Sequence, residues 1–326
     1  MTQKLNWGLL STAKINRALI GPVTVSLRAR LLAVASRSVA SAEAYAREWK
    51  IPRAHGSYEA LLADPEIDVI YNSLPNNLHA EWTVKALRAG KHVLCEKPLA
   101  LSLIEMDEII SVARETGRVV AEAFMYRHHP QTLKAREIVE SGALGKLQLI
   151  RGTFSYTLTR EGNFRWMTEA GGGSIWDVGC YPISYTRFIV GAEPLEVFGW
   201  QVPGAGGGDD SFIGQMRFAQ DVHAQFDSSF RSPLRSQMEI IGSMGSLLVS
   251  MPFKPGRNEK IFLTREGETE TIKIAGQELY IGEVDDLTDA ILTGRPPRIS
   301  LADSRGNTAT ILALLESAHA GKPVAL

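Results

Sequence analysis

His92-Val93-Leu94-Cys95-Glu96-Lys97-Pro98 is the stretch that decides the fold of this chain. Its apolar run, Val93 to Cys95, follows the Ala89-Gly90 turn without a polar face, which is typical of a parallel strand buried on both sides. Because proline lacks the backbone N–H that a central strand needs, the strand must end before Pro98. Lys97 is therefore predicted at the carboxyl end of a strand, where open α/β sheets bind ligands, although a loop lysine paired with Glu96 is the alternative.

Strands and helices alternate around this stretch through residue 125. Further buried strands are predicted at 7–10, 30–36, 68–74 and 118–123, with helices between them. Ser102 begins the helix after Lys97, because Glu105 stands at the capping-box position. This alternation predicts a doubly wound parallel sheet, and we assign it to a first domain spanning residues 1–125.

The pattern changes after Tyr126. Residues 222–230 alternate between a covered and a polar face, and seven further strands are predicted at 147–156, 196–201, 211–218, 237–241, 246–250, 260–263 and 271–274. We therefore expect a second, α+β domain over residues 126–326, with a large open, mostly antiparallel sheet and helices on one face. A broad face of that sheet is the expected interface of a homo-oligomer. Gly204–Gly208 is predicted as a hairpin tip, with Asp209-Asp210 as a solvated turn rather than a metal site.

Composition limits the function classes. At 326 residues the chain is too long for one ordinary core. Its 35 basic and 36 acidic side chains give a net charge of -1, so nothing favours nucleic acid or an anionic membrane as a partner. Cys95 and Cys180 lie in apolar stretches and are predicted to be buried thiols. The first seven residues show neither a secretion signal nor a membrane-spanning run, so we expect a cytoplasmic protein.

Three segments of the first domain could bind a dinucleotide. Ser11–Asn16 stands where the fingerprint G-x-G-x-x-G would be; its glycines are absent, but Ser11 and Ala13 are small enough for backbone to approach a pyrophosphate. Read alone, this segment is an ordinary strand-turn-helix. Arg37 follows the second strand where an acidic residue would bind a ribose 2′-hydroxyl; an arginine there favours a 2′-phosphate, and thus NADP over NAD, unless it is a simple surface arginine. The loop Pro75–His79 is expected to line the nicotinamide ribose.

Four motifs, taken in order, resemble the family of glucose-fructose oxidoreductase and inositol dehydrogenase, the Gfo/Idh/MocA family. They are Ala89–Val93, Glu96–Pro98, Glu122 with Tyr126-Arg127 and His129-Pro130, and Gly171–Pro182. Many members have histidine at the position of Tyr181. A tyrosine at this position resembles the NADP-dependent branch of dimeric dihydrodiol dehydrogenase and D-xylose dehydrogenase, and that branch also tolerates the missing glycines. The resemblance implies a Rossmann domain, NADP with NAD as the lesser expectation, and an oxidoreductase acting on a sugar, cyclic polyol or dihydrodiol.

Asp177 and Tyr181 are four residues apart in a predicted helix, so their side chains share one face. If that face meets Lys97 across the cleft between the domains, a carboxylate, a phenol and an ammonium converge. Oxidising a secondary alcohol needs a base for the hydroxyl proton, and the Lys97 ammonium would lower the pKa of the Tyr181 phenol. We therefore expect Tyr181 as the acid/base, Lys97 to tune it and polarise the substrate oxygen, and Asp177 to orient the substrate or Lys97. Proton transfer by Lys97 itself is the alternative.

The candidate site residues fall into two sets. Those expected to bind the cofactor are Ser11, Thr12, Ala13, Ile15, Ser36, Arg37, Ser38, Ser73, Leu74, Asn76, His79, Glu96, Lys97, Arg165 and Trp166. Those expected to contact the substrate are Lys97, Tyr126, Trp166, Asp177 and Tyr181. No third ligand accompanies His128 and His129 at metal spacing, so no metal is predicted. Two other functions stay open: a non-catalytic dinucleotide-sensing protein, and a glycoside hydrolase that uses bound NAD for transient oxidation and elimination.

Overall fold

The computed structural model describes residues 4–159 and 162–326, and it separates into two compact units. The first unit contains Met1–Met125 and Tyr280–Arg305, and the second contains Tyr126–Leu279 and Gly306–Leu326. Within the described residues, no helix is both long and apolar enough to cross a membrane. Cys95 and Cys180 are both buried free thiols, as predicted.

The first unit is built on a six-stranded parallel sheet. Its elements are β1 (Leu5–Leu9), α1 (Asn16–Val25), β2 (Ala29–Ala35), α2 (Val39–Trp49), β3 (Arg53–His55), α3 (Tyr58–Leu62), β4 (Val69–Asn72), α4 (His79–Arg88), β5 (His92–Glu96), α5 (Leu103–Thr116) and β6 (Val120–Ala123). The strand order is β3-β2-β1-β4-β5-β6, with every pair parallel. The predicted doubly wound sheet is confirmed, and its strand order reverses between β1 and β4.

The apolar run of β5 is buried from both faces of this sheet. Val93 and Cys95 belong to one apolar cluster and Leu94 to the other, and none of the three is more than 1% exposed. The helix that follows begins with the predicted capping box: Glu105 N donates to Ser102 Oγ, and Ser102 N donates to Glu105 Oε2. Local chemistry therefore fixes both the strand that ends before Lys97 and the helix after it.

The second unit is built on a nine-stranded sheet. Its elements are α6 (Pro130–Glu140), β7 (Leu147–Ser155), α7 (Cys180–Val190), β8 (Glu196–Pro203), β9 (Asp209–Arg217), β10 (His223–Ser229), β11 (Arg235–Gly242), β12 (Gly245–Ser250), β13 (Asn258–Arg265), β14 (Glu268–Ala275) and β15 (Val324–Ala325). Between β14 and β15 the chain forms α8 (Ile281–Thr293), which belongs to the first unit, and α9 (Leu301–Ala320), which begins in the first unit and ends in the second. The strand order is β14-β13-β12-β11-β7-β10-β9-β8-β15. Only β7 and β10 run parallel, so the predicted open, mostly antiparallel sheet is confirmed.

Residues 280–305 depart from the expected domain division. The helix α8 lies in this segment, and its Val284 and Leu287 are fully buried in the first unit's core, in the cluster that contains Leu19 and Val34. Ser26 Oγ also donates to Asp285 Oδ1 at 2.8 Å. The periodicity of apolar residues in a helix contains no information on which sheet its apolar face will cover.

The prediction of a solvated turn at Asp209-Asp210 is wrong. Asp209 is the first residue of β9 and is only 4% exposed. Glycines and acidic residues in succession are typical of exposed turns. Here both acidic residues belong to β9, Asp209 pairs with Pro203 of β8, and the hairpin tip comprises residues 204–208 alone.

Candidate active site

Three buried polar side chains join the turn after β1 to the end of β4. Ser73 Oγ donates to Asn16 Oδ1 at 2.6 Å, Ser11 Oγ and Ser73 Oγ lie 2.8 Å apart, and Asn16 Nδ2 donates to the Ser11 carbonyl at 2.7 Å. All three are at most 8% exposed. The Ser11 and Ser73 hydroxyls are therefore engaged with protein, and Asn16, which the sequence analysis did not single out, organises this part of the predicted cofactor site.

The turn itself is longer than the sequence suggested. The helix α1 begins only at Asn16, and Ala13 N donates to Ser11 Oγ at 3.1 Å. Thr12, Ala13 and Ile15 are half-buried. Because the turn lies at the carboxyl end of β1, beside the reversal of strand order, its position agrees with that of a dinucleotide-binding turn.

His79 is not placed to line a ribose, contrary to the prediction. It is the first residue of α4 and only 1% exposed; its Nδ1 faces the Pro98 carbonyl and its Nε2 the Leu74 carbonyl, each at 2.7 Å. Burial lowers the pKa of His79 to about 4; the two carbonyls oppose that shift, and the Lys97 charge adds to it. A neutral imidazole has one N–H, so it donates to one carbonyl at a time. The ring joins the loops that follow β4 and β5.

The other residues after β4 are held by Asn72, a second residue that the sequence analysis missed. Its Oδ1 accepts from Leu74 N at 3.3 Å, and its Nδ2 donates to the His79 carbonyl at 3.0 Å. Leu74 is 7% exposed, whereas Asn76 is half-buried in a short 3-10 helix, Asn76–Leu78. A fully buried asparagine at a strand end fixes the backbone that follows it.

Lys97 follows β5 at the carboxyl end of the strand, where it was predicted. The Lys97-Pro98 peptide bond is cis. Before it, Tyr71 OH donates to Glu96 Oε1 at 2.5 Å; after it, Leu99 N donates to Oε1 of the buried Glu122 at 3.0 Å. The chain is thus held on both sides of a half-buried lysine.

Arg37 lies exposed just beyond the carboxyl end of β2. Ser36 N donates to the His55 carbonyl at 3.1 Å, and Ser38 Oγ caps α2 by accepting from Ser41 N. Burial raises the pKa of Tyr58, and the Arg37 guanidinium opposes that rise. Arg37 therefore lies on the same edge of the sheet as Ser11 and Lys97.

In the second unit, the glycine triplet Gly171–Gly173 lets the loop before it fold back closely. Gly173 N donates to the Arg165 carbonyl at 2.8 Å, and Gly172 N donates to the Met167 carbonyl at 2.9 Å. A Cβ on Gly172 would lie 2.5 Å from the Arg165 oxygen, and Gly173 has a φ of +119°. Both positions require glycine, which explains the motif.

The helix after the triplet begins with a π-helical turn, Ile175–Gly179, and continues as α7. The segment is helical, as predicted, but its first turn is not an α-helical turn. Such π-turns are frequent at functional sites. It contains Asp177, and Tyr181 follows in the first turn of α7.

Asp177 is held between two partners of its own unit. Tyr156 OH donates to Asp177 Oδ2 at 2.7 Å, and Arg165 Nε lies 2.9 Å from the same oxygen. Burial, followed by the Asp177 charge, raises the pKa of Tyr156; for Arg165, burial opposes the charged form but the charges of Asp177, Tyr156 and Tyr181 raise its pKa. Asp177 and Arg165 are therefore an ion pair, and Tyr156 is a third residue that the sequence analysis missed.

Tyr181 is 5% exposed and sits in an aromatic cluster. Its ring centroid lies 5.2 Å from Phe154, 5.6 Å from Phe253 and 5.6 Å from Tyr126. Tyr126 is fully buried and donates its hydroxyl to the Tyr181 carbonyl at 3.3 Å, so it supports Tyr181 and does not meet the prediction of a substrate contact. Inside this unit, the charge of Arg165 interacts with Tyr181.

Trp166 is half-buried in a 3-10 helix, Phe164–Trp166, and its ring meets Phe230 edge-on at 5.3 Å. Arg165 stacks over Phe164 at 4.7 Å. Within residues 4–159 and 162–326, no group of three or more His, Cys, Asp or Glu side chains has an arrangement suited to a metal ion.

Models of known families match both units. The model described as "Oxidoreductase family, NAD-binding Rossmann fold" matches residues 5–124, and the "GFO/IDH/MocA C-terminal domain" matches residues 132–248.

Two curated relatives match nearly the whole chain. D-xylose 1-dehydrogenase (NADP(+)) 2 of Haloferax volcanii is 35% identical over 324 residues, covering 98% of this chain and 99% of the relative. The trans-1,2-dihydrobenzene-1,2-diol dehydrogenase of Xenopus laevis is 29% identical over 313 residues, covering 91% and 93%. Among solved structures, the aldose-aldose oxidoreductase of Caulobacter crescentus has a TM-score of 0.93 at 25% identity, covering 99% of this chain and 100% of the other.

Proposed function

The chain belongs to the GFO/IDH/MocA family of NAD(P)-dependent oxidoreductases, and on that premise we propose that it is NADP-dependent and transfers a hydride between the nicotinamide and a secondary alcohol or carbonyl of a sugar, cyclic polyol or dihydrodiol. The family and the branch expected from the sequence motifs are thereby confirmed. The observation that carries the proposal is the arrangement at one edge of the first sheet. The turn after β1, Arg37 after β2 and Lys97 after β5 all lie at carboxyl ends of strands.

The residues on this edge fit a dinucleotide phosphate. Small residues at Ser11 and Ala13 leave room for a pyrophosphate beside the start of α1, where backbone N–H groups favour an anion. The exposed Arg37 guanidinium suits the dianionic 2′-phosphate that distinguishes NADP from NAD. When bound, NADP would supply the nicotinamide that accepts or gives the hydride. Because the Ser11 and Ser73 hydroxyls bond each other, we assign the phosphate contacts to the backbone of residues 11–15.

We assign the acid/base role to Tyr181, whose phenol oxygen takes or returns the proton of the substrate hydroxyl. A free tyrosine has a pKa of about 10, so it needs a nearby cation to act at neutral pH. Arg165 supplies one in the same unit, and Lys97 is assigned to polarise the substrate oxygen and favour the phenolate further. Proton transfer by Lys97 itself is the alternative that the experiments below separate.

Asp177 is better suited to binding than to proton transfer. Its carboxylate pairs with Arg165 and accepts from Tyr156, and both interactions favour the ionised form. An ionised carboxylate accepts hydrogen bonds from sugar hydroxyls. We therefore assign Asp177, together with Trp166, which follows Arg165 in the loop, to orienting a neutral polyol or diol. The names of the two curated relatives, one acting on D-xylose and one on a dihydrodiol, support this substrate class.

We also propose that the open face of the nine-stranded sheet joins the copies of a dimer or tetramer. Trp200 on β8 and Ile213 on β9 are paired across the strands, and each is 52% exposed; Val202 is 44% exposed. Exposed apolar clusters of this kind are typical of interfaces. Light scattering on the purified protein should give a mass of two or four chains. Trp200→Asp should reduce it, whereas Leu234→Asp, an exposed residue outside the strands, should not; a monomeric wild-type protein would contradict the proposal.

The cofactor is tested by titrating the protein with NADPH and NADH while following nicotinamide fluorescence. Hydrogen bonds to charged groups contribute about 1.5–3 kcal/mol, so Arg37→Asp should weaken NADPH binding by roughly 10- to 150-fold and leave NADH unaffected. Arg30→Asp is the matched control, because Arg30 is also exposed on β2 but at the opposite end of the strand. Equal affinity of the wild-type protein for both cofactors would place Arg37 outside the cofactor site.

The reaction is tested with NADP and a panel of aldoses, cyclic polyols and dihydrodiols, and with NADPH and the corresponding carbonyl compounds. We expect a change in nicotinamide absorbance with at least one class. Release of a chromogenic aglycone without net cofactor turnover would instead indicate the redox-elimination glycoside hydrolase, and tight cofactor binding without turnover would indicate a sensor.

A further inference from the structure

Asp209 joins three elements of the second unit through one carboxylate oxygen. Its Oδ2 accepts from Ile175 N at 3.0 Å and from the Ser174 hydroxyl. Ser174 Oγ also lies 2.9 Å from Ser228 Oγ on β10. Because Asp209 begins β9, the contact connects the start of the helix with two neighbouring strands. Asp209, Ser174 and Ser228 are each at most 4% exposed.

The contact supplies a hydrogen-bond acceptor for the backbone N–H of Ile175 at the start of the helix. The first N–H groups of a helix lack intrahelical partners, and a carboxylate there also interacts favourably with the helix dipole. Ile175 begins the π-helical turn that continues through α7 to Val190. The usual solution is a capping side chain from the residue just before the helix. Here the acceptor comes from 34 residues further along the chain.

The Asp209 carboxylate also explains why the last residue of the glycine triplet, Gly173, has no side chain. A Cβ on Gly173 would lie 2.4 Å from Asp209 Oδ1, closer than any real contact allows. Burial raises the pKa of the Asp209 carboxyl to about 6, although the hydrogen bonds from Ser174 and Ile175 oppose that rise. A buried carboxyl group with a raised pKa is more typical of a functional site than of a turn that only connects two strands.

We propose that Asp209 is a positioning residue, which fixes the helical segment that presents Asp177 and Tyr181 to the substrate. The proposal rests on the roles assigned to Asp177 and Tyr181 under the proposed function. It makes the Asp209 side chain responsible for the alignment of the reacting groups, with no contact to substrate or cofactor. Misplacement of a catalytic group by about 1 Å can cost roughly 100-fold in rate.

The test compares Asp209→Ala, Asp209→Asn and a control, Glu270→Ala, which removes an exposed carboxylate from β14 of the same sheet. Asparagine keeps one acceptor oxygen and alanine keeps none. We expect kcat to fall roughly 100-fold in Asp209→Ala and less than about fivefold in Asp209→Asn. The Kd for NADPH, measured by fluorescence, should stay within twofold of wild type in all three. A wild-type kcat in Asp209→Ala would overturn the proposal, as would an equal loss in the asparagine and alanine variants.

Hydrogen exchange separates this proposal from the proposed function. Peptides covering residues 174–181 should exchange at least tenfold faster in Asp209→Ala than in the wild type, and at the wild-type rate in Asp209→Asn and Glu270→Ala. This measurement needs no substrate, so it tests the contact even if the wild-type protein oxidises nothing in the panel. Unchanged exchange in Asp209→Ala would overturn the proposal.

A second variant covers the case in which Asp209→Ala does not fold. Ser174→Ala removes the hydroxyl that bonds both Asp209 and Ser228, while the Ile175 N–H still binds the carboxylate. We expect a smaller fall in kcat, roughly tenfold, with an unchanged Kd for NADPH and faster exchange of the same peptides. Wild-type kcat and exchange in Ser174→Ala would overturn the proposal.

Discussion

The two units hold their candidate side chains by different means. In the first unit, the turn after β1 and the loop after β4 are fixed by buried neutral groups, Asn16, Asn72 and His79, which bond backbone carbonyls or other neutral side chains. The chain around Lys97 is the exception, because Leu99 N donates to the carboxyl group of the buried Glu122. In the second unit, charged groups are fixed by one another, as Asp177 is by Arg165, or are buried beneath the helix, as Asp209 is. The first arrangement fixes backbone, and the second fixes charge.

This difference follows from the groups with which each unit is proposed to bind its ligand. A pyrophosphate binds to backbone N–H groups, so its site needs loops of defined shape, and neutral hydrogen bonds provide this at little cost. A reacting hydroxyl needs a phenol and a carboxylate of defined charge and direction. Such groups tolerate partial burial only when they are paired. We therefore expect substitutions in the first unit, apart from those of Lys97, to change cofactor affinity and those in the second unit to change kcat.

The largest effect on this comparison is expected from Tyr181→Phe. Removal of a positioned general acid/base costs typically 100- to 10,000-fold in rate, and we expect a fall in kcat of that size with NADPH affinity unchanged. Tyr185→Phe is the matched control, since Tyr185 is a fully buried tyrosine of the same helix and the same aromatic cluster. Its kcat should stay within about threefold of wild type.

The same experiment decides which residue transfers the proton. If Tyr181→Phe retains most of its kcat while Lys97→Met abolishes turnover, the proton is transferred by Lys97 and Tyr181 is a packed ring. A kcat that falls in both variants, with the alkaline and acid limbs of its pH profile altered in Tyr181→Phe, supports the assignment made above. A large loss of NADPH affinity in Tyr181→Phe would contradict the expectation that the second unit determines kcat and the first unit determines cofactor affinity.

Sequence patterns predicted what depends on neighbours along the chain. The period of apolar residues predicted the alternation of strands and helices in the first unit, and the predicted strand at 118–123 is β6, Val120–Ala123. The rule that ligands bind at carboxyl strand ends placed Lys97 and Arg37 on one edge without any knowledge of their contacts. Both predictions rest on backbone geometry that a short segment determines for itself.

The errors concern polar residues whose partners are distant in sequence. Asp209 was predicted in a solvated turn because its neighbours are glycines, but its partners lie 34 and 35 residues earlier. His79 was predicted beside a ribose because it follows a strand, but it bonds a carbonyl 19 residues later. Nothing in a local pattern distinguishes a buried, partnered polar side chain from an exposed one. The same limit explains why Asn16 and Tyr156 were missed, since their partners Ser73 and Asp177 lie 57 and 21 residues further along the chain.

A smaller effect, on stability rather than rate, should follow from the opposite shifts of the His79 and Asp209 pKa values. The pKa of His79 is lowered to about 4, so the unfolded chain binds this proton first as pH falls below about 6.5, and the folded state loses stability. Between pH 7.5 and 5 this amounts to about 2 kcal/mol. The pKa of Asp209 is raised to about 6, so the folded second unit binds its proton more tightly and gains stability over the same range.

Hydrogen exchange in urea measures the opening free energy of the two units separately. Peptides from β4 and β5 report on the first unit, and peptides from β9 and β10 report on the second. We expect the opening free energy of the first pair to fall on acidification and that of the second pair to fall less or to rise. His79→Gln should remove about 2 kcal/mol of the pH dependence from β4 and β5 and none from β9 and β10. His223→Gln, at an exposed position of β10, is the control and should change neither. An unchanged pH dependence of β4 and β5 in His79→Gln would show that this buried ring carries its proton in the folded state, bonded to both carbonyls, and that the first unit also relies on a buried charge.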